Sequence, residues 1–264
     1  MRTYWQPDML RGQTAVITGV SRKIGIGAAI ARALAEVGCN IFTTYFRPYD
    51  ATMPWGSQAD EASQIIAELQ QMGVQAAGLE LDLSQPTAPA ELFAVVQERF
   101  GRANILINNA AYSTSEDVYT LTAQSLENHL AVNVRGMALL CQVFVQQFVG
   151  EEWVANGRII NLSSGQSFGP MPGELGYIAS KGAVEALNLS LSAALASQGI
   201  TVNAIDPGIT DTGWIPDDLR QTFVAQAPMG RIGTPEDAAR LVRFLASPES
   251  GWITGQLIRS RGGL

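Results

Sequence analysis

Tyr177 and Lys181 stand four residues apart in the segment GYIASKGAVEAL, so on a helix they share one face and their side chains can converge. A phenol beside an ammonium can do proton-transfer chemistry. Free tyrosine titrates near ~10, and a neighbouring cation stabilises the phenolate and draws that value toward working pH. Ser164 directly follows the apolar stretch RIINLS, thirteen residues before the tyrosine, and adds a hydroxyl at the strand end. Of 17 basic residues, 15 are arginine and only Lys23 and Lys181 are lysine, which fits a site needing a compact, titratable ammonium.

A second candidate site is TGVSRKIGIG, residues 18 to 27, which leaves an apolar strand candidate and opens the helical stretch AAIARALAEVG. A helix N-terminus with glycines in front of it is an anion site, because free backbone N–H groups and the positive dipole end face the ligand. The glycines fall at 19, 25 and 27, not at the G-x-G-x-x-G spacing, so a ligand-free turn is the competing reading. An acid closing the second strand would bind the ribose hydroxyls of NAD, whereas cations there accommodate the 2′-phosphate of NADP. Here TTYFR ends in Arg47 with no acid before Asp50, and together with Arg22 and Lys23 this favours NADPH.

These residues need a sheet to position them. Short apolar runs alternate with longer amphipathic segments, the pattern of βαβ units. Strands are expected at 14 to 18, 40 to 46, 76 to 83, 104 to 108, 158 to 163, 201 to 205 and 256 to 260. Helices are expected at about 25 to 37, 59 to 72, 87 to 100, 122 to 149, 175 to 198, 217 to 226 and 235 to 246. Thr234-Pro-Glu-Asp237 carries the N-cap, proline and acidic first turn that start the last helix. The expected fold is a Rossmann-type doubly wound parallel sheet of about seven strands, flanked by helices, in one domain over residues 1 to 264. Ligands on such sheets bind beyond the strand C-termini.

A net charge of −7 opposes attraction to nucleic acid or an anionic membrane, leaving small molecules as the expected partners. Cys39 and Cys141 are far apart and belong to no Cys/His cluster, so neither a metal site nor a disulfide framework is expected. No signal-like or membrane-spanning apolar run is present, and a cytoplasmic protein is the expectation.

The motifs in order make the chain resemble the short-chain dehydrogenase/reductase family over nearly its whole length. Tyr177-Ile-Ala-Ser-Lys181 matches the family's YxxxK, and Ser164 falls at its catalytic serine by spacing. Asn108-Asn109-Ala110-Ala111 matches NNAG, Asn133 in VNVRG matches the catalytic asparagine, Pro207-Gly208 to Thr210 and Thr212 match PG-x-x-x-T, and Asp82-Leu83 match the adenine-contacting position. The glycine loop matches TG-x-S-R-G-I-G through Gly19, Ser21, Arg22, Gly25 and Ile26, with Lys23-Ile24 inserted. Ala111 in place of the motif's glycine and the segment RPYDATMPWGSQ after the second strand are departures.

The resemblance implies an NADP(H)-dependent reductase that turns a ketone into a secondary alcohol, reversibly, by hydride transfer. Tyr177 would give the proton, Ser164 would hold the substrate oxygen, Lys181 would stabilise the phenolate and hold the nicotinamide ribose, and Asn133 would support a proton-relay water. It also implies a homo-oligomer, dimer or tetramer, paired through the helices at 122 to 149 and 175 to 198. A 3-oxoacyl-[acyl-carrier-protein] reductase is the specific alternative, and a catalytically silent NADP-binding regulator the alternative of another class. Residues 212 to 231 match the family's variable substrate loop, and residues 47 to 58 form an extended loop that would either cover the adenosine end of the cofactor or make an oligomer contact. His129, the single histidine, reads as structural or surface, and Glu174 as a carboxylate at the substrate mouth or in a loop.

Overall fold

The computed structural model describes residue 6 and residues 8–151, 153–154 and 156–263. Part of the N-terminal segment read for a leader, and Glu152, lie outside those residues. Seven strands form one all-parallel sheet in the order β3-β2-β1-β4-β5-β6-β7. They are β1 Thr14–Ile17, β2 Asn40–Tyr45, β3 Ala76–Glu80, β4 Ile105–Asn108, β5 Arg158–Leu162, β6 Thr201–Asp206 and β7 Leu257–Arg259. The chain turns outward in opposite directions from β1 and β4, so the crevice for a ligand opens at the C-terminal ends of these two neighbours. Each of β1, β4, β5 and β6 is buried along its whole length, as continuous apolar runs covered on both faces require.

Two apolar layers sandwich the sheet. One packs α1 (Ile26–Ala35) against α9 (Pro235–Ala246), with Ile17, Ile30, Leu34, Ile107 and Val242 at its centre. The other sets α4 (Ala88–Phe100), α6 (Met137–Gln146) and α7 (Leu175–Leu195) around Leu92, Leu106, Phe144 and Ile159. The remaining helices are α2 (Arg47–Ala51), α3 (Glu61–Gln71), α5 (Ala123–His129) and α8 (Asp217–Gln226). α9 starts with the expected device: Thr234 and Asp237 form a reciprocal capping box with Pro235 in the first turn.

Two elements differ from the sequence-based expectation. The helix expected at 122 to 149 is α5 and α6 joined by seven residues of wide π-helix, Leu130–Gly136. Asn133 sits in that wide turn with its side chain bonded to two other segments, and Gly136 lies so close to the Leu83 carbonyl that a Cβ would come within 2.8 Å of it. The expected loop at 47 to 58 opens instead as α2, because Pro48 suits a first helical turn and Arg47 is anchored on Glu80.

Candidate active site

The residues expected on the cofactor side gather at the C-terminal edge of the sheet. Gly19, Ser21, Arg22, Lys23, Gly25 and Ile26 follow β1, Arg47 follows β2, Asp82 and Leu83 follow β3, Asn109 and Ala110 follow β4, and Pro207, Gly208, Thr210 and Thr212 follow β6. Asn109 ties the first turn to the fourth strand: its Nδ2 donates to the carbonyls of Thr18 (2.8 Å) and Gly19 (3.0 Å). The Thr18 hydroxyl in turn accepts from the Asn109 and Ala110 backbone. A Cβ on Gly19 would meet the Ala110 backbone at 2.7 Å, and one on Gly27 would meet Asn109 at 2.7 Å, so only glycine permits this closeness. Gly25 occupies the N-cap of α1 with no side-chain cap, unlike the boxed start of α9. The donor set therefore fits a phosphate-bearing dinucleotide: a helix start without a side-chain cap, aimed at the crevice, with no acid in its first turn.

The three cations do not share one partner. Arg47 makes a two-pronged ion pair with Glu80, which the β2–β3 register sets opposite Tyr45. Lys23 donates to Gln64 while its backbone N–H donates to Glu61. Arg22 donates to the Thr212 carbonyl at 2.8 Å and lies 4.1 Å above the Trp55 ring. Asp82 accepts from the Ser84 backbone and from Gln85; burial pushes its carboxyl up, and those hydrogen bonds bring it below its ordinary value.

Ser164, Tyr177 and Lys181 converge between β5 and α7. Ser164 begins the short 3-10 turn that follows β5 and hydrogen-bonds the Tyr177 side chain. Its neighbour Ser163 points away, donating to Glu185 at 2.7 Å. Lys181 is buried, with Nζ donating to the Leu162 carbonyl at 2.7 Å and lying 5.6 Å from the centre of the Tyr177 ring. Asn133 holds this frame through its side chain. Its Oδ1 accepts from the Tyr112 N–H (2.7 Å), and its Nδ2 donates to the Tyr112 carbonyl (2.8 Å) and to Ser180 Oγ (2.9 Å), which donates to the Tyr177 carbonyl. With every polar atom of the side chain engaged, Asn133 positions the tyrosine turn and the segment after β4.

The electrostatics reverse the expected sign at the tyrosine. Loss of hydration pushes the Tyr177 phenol up to about 12, opposed by the Ser164 hydrogen bond and reinforced by Glu174 and Asp206. Lys181 is driven down to about 8 by burial. The cation expected to pull the phenol down is bonded to a backbone carbonyl, and burial outweighs it. Glu174, at the start of α7, is half-buried and raised by burial.

His129 is fully buried and structural. Its Nδ1 donates to the Ser125 carbonyl at 2.9 Å and its Nε2 accepts from the Thr114 N–H at 3.3 Å, which assigns the ring proton to Nδ1. A Cβ on Gly176 would meet that ring at 2.7 Å, so the residue before the tyrosine must be small.

Sequence reasoning passed over three features. Tyr112 packs between Tyr49 (5.5 Å) and His129 (4.9 Å), and His129 reaches the Tyr177 ring at 6.4 Å. The Tyr49 hydroxyl meets the Ser113 backbone. Asp206 and Arg261 form a buried ion pair at 2.8 Å, with the second Asp206 oxygen accepting from the Gly208 N–H and the guanidinium stacked on Phe168. The reversed charges of Asp206 and Arg261 at two strand ends are the signal that was present for this last pair. In the segment expected as the substrate loop, the Trp214 and Phe223 rings lie 6.4 Å apart at a tilt, and Ile215 is buried.

A doubly wound parallel sheet with a glycine turn after β1 and a Ser/Tyr/Lys cluster between β5 and α7 defines an oxidoreductase of the nicotinamide-dinucleotide class, and the chain belongs to the short-chain dehydrogenase/reductase family. The family model that it matches is described as enoyl-(acyl carrier protein) reductase, over residues 19–264. Among curated relatives, it is 46% identical to the uncharacterized oxidoreductase YjdA of Bacillus subtilis (strain 168), across 94% of this chain and 95% of that one. It is 32% identical to the 3-oxoacyl-[acyl-carrier-protein] reductase FabG of Staphylococcus epidermidis, across 96% and 98%. A short-chain dehydrogenase from Burkholderia cenocepacia J2315, solved in complex with NADP, superposes with a TM-score of 0.85 at 32% identity, covering 97% of this chain and 98% of that one. Among the described residues no helix is long and apolar enough to cross a membrane, and no group of three or more His, Cys, Asp or Glu could hold a metal ion.

Proposed function

We propose that the protein is an NADPH-dependent carbonyl reductase that converts a ketone to a secondary alcohol. The observation that carries this reading is the Ser164–Tyr177–Lys181 cluster, in which Lys181 is buried and Ser164 and Tyr177 are half-buried, with the phenol raised to about 12 and therefore protonated at neutral pH. The dinucleotide, held along Gly19–Ile26, Asn109–Ala110 and Pro207–Thr212, supplies the hydride. The chain's own residues do the rest. Ser164 donates to the substrate carbonyl oxygen, and Tyr177 gives its proton to the alkoxide forming there. Lys181, in its protonated form, offsets the charge left on the phenolate. Glu174 and Asp206 raise the phenol, which favours the protonated, donating form.

NADPH rather than NADH is supported by Arg47 at the end of β2 with Arg22 and Lys23 nearby, and by the NADP-bound structural relative. The Arg47–Glu80 pair is half exposed and screened by solvent, so it is weak enough for a phosphate dianion to take over the guanidinium.

The likeness to FabG favours 3-oxoacyl-carrier reduction as a second reading. Against it, an acidic carrier protein needs a basic docking face, and residues 182 to 219 contain no Lys or Arg. Small ketones are therefore the better substrates. Following NADPH oxidation against matched panels of ketones and acyl thioesters tests the assignment. Tyr177→Phe is expected to abolish turnover while leaving NADPH binding intact. Retained turnover, or binding without turnover of any ketone by the unmodified chain, refutes it; the latter outcome is the silent regulator.

A further inference from the structure

We propose that residues 47–57 form a strap across the dinucleotide groove, latched by Arg22, whose opening gates entry and release of the cofactor. The proposal rests on the reading of that groove as a nicotinamide-dinucleotide site.

Strand order makes the crossing explicit. Tyr49 lies four residues beyond the end of β2, and its hydroxyl contacts the backbone N–H (3.1 Å) and carbonyl (3.3 Å) of Ser113, five residues beyond β4. β1 lies between β2 and β4 in the sheet, so this contact passes over the end of β1, where the glycine turn begins. The second contact runs the other way. Arg22 leaves β1 and donates to the Thr212 carbonyl, six residues beyond β6, so it spans the ends of β4 and β5, which lead to Asn109 and Ser164. Both bridges cross the edge on which ligands of such sheets lie.

The two bridges are joined. The Arg22 guanidinium stacks on Trp55, and Trp55 Nε1 donates at 3.1 Å to Asp50, a buried carboxylate of the strap itself. Ile24 completes the latch: Gly213 lies so close to it that a Cβ there would come within 2.8 Å of Ile24 Cδ1. Lys23-Ile24 in the glycine turn and the long segment after β2 are both longer than the family pattern, and each supplies a part of this closure. Gly213, with φ of +81°, is the second residue of the segment 212 to 231 expected as the substrate loop, so the latch also holds the root of that segment. The aromatic ladder Tyr49–Tyr112–His129–Tyr177 connects the strap's far end to the proton donor. A cation stacked on tryptophan and bonded to one carbonyl is a contact of modest strength, suited to opening and closing.

Trp55→Leu removes the stacking surface but no charge, and so separates gating from phosphate attraction. In stopped-flow experiments on the full chain, with nicotinamide fluorescence as the signal, association and release of NADPH should both accelerate about tenfold while Kd changes less than threefold. Unchanged rates, or faster release with unchanged association, overturn the gate. Hydrogen exchange of the cofactor-free chain provides a readout independent of the ligand: amides of residues 47–57 should exchange about tenfold faster in Trp55→Leu and in Arg22→Met than in the parent. Equal exchange overturns the latch. If NADH binds and NADPH does not, the cofactor preference fails and the gate is read on NADH. If neither binds, the functional assignment fails, and the exchange comparison still decides whether Arg22 and Trp55 hold the strap.

Discussion

Lys181→Met should change the pH dependence of folding stability in a defined direction. Burial lowers Lys181 from 10.5 to about 8, and each pH unit of displacement corresponds to ~1.36 kcal/mol, so the buried ammonium costs about 3 kcal/mol where both states are protonated. Below pH 8 that cost is fully present. Between about 8 and 10.5 the folded chain has released the proton and the unfolded chain still holds it, so stability rises with pH, and above 10.5 the contribution is constant. Methionine removes the ionisation but leaves the Leu162 carbonyl without its donor, at a cost of ~1–3 kcal/mol that does not vary with pH. The two variants should therefore be within about 2 kcal/mol of each other at pH 7. Relative to Lys181→Met, the parent should gain about 3 kcal/mol on going from pH 7 to 10.5. Urea unfolding at half-unit pH intervals reads this directly. A stability difference that stays flat from pH 7 to 10.5 would refute the claim that Lys181 is held against its preferred charge.

Ser164→Ala should lower kcat by ~10²–10³, as loss of one donor to a developing oxyanion does, whereas Ser163→Ala should leave kcat within about threefold because that hydroxyl serves Glu185. Equal losses in the two variants, read from steady-state NADPH oxidation, would overturn the choice between the adjacent serines. Arg261→Met leaves the Asp206 carboxylate buried without its charge partner and should cost ~3–5 kcal/mol, seen as a lower denaturant midpoint. Pairing it with Asp206→Asn should recover most of that loss, and a single variant within about 1 kcal/mol of the parent would refute the pairing.

The strands and the meeting of Tyr177 with Lys181 were legible because they depend on local pattern. AVI, ILIN and RIINL are apolar without alternation, which only a sheet covered on both faces explains. Tyr177 and Lys181 meet because four residues return a helix to the same face. What escaped was set by contacts between distant segments. The wide turn at Asn133 goes with bonds to Tyr112 and Ser180, 21 and 47 residues away, and nothing in VNVRG itself announces it. Glu80 answers Arg47 only because the β2–β3 register sets it beside Tyr45, so a strand end that looks free of acid in the sequence carries one in space. The direction of the Tyr177 shift belongs to the same class, since motif spacing brings a cation near and says nothing about hydration.

That shift bears on which direction of the reaction the chain's own residues favour. On the proposed assignment, reduction needs a proton on Tyr177 when the alkoxide forms; oxidation needs the phenolate to receive one. With the phenol raised to about 12, the donor is charged with its proton across the whole neutral range. Lys181, lowered to about 8 by burial, titrates closer to neutrality than the Tyr177 phenol does. Proton supply therefore does not limit reduction as pH rises from 6 to 9, but the charge that offsets the nascent phenolate is lost through the upper part of that range. Oxidation meets the opposite difficulty, because the base it needs is scarce throughout. Burial sets this asymmetry and Glu174 and Asp206 add to it, since each disfavours the phenolate; Asp206 also fixes the Gly208 turn through a buried pair with Arg261. The same carboxylate thus shapes the Gly208 turn and acts on the proposed proton donor, which on that assignment ties the direction of the chemistry to the packing at the end of β6.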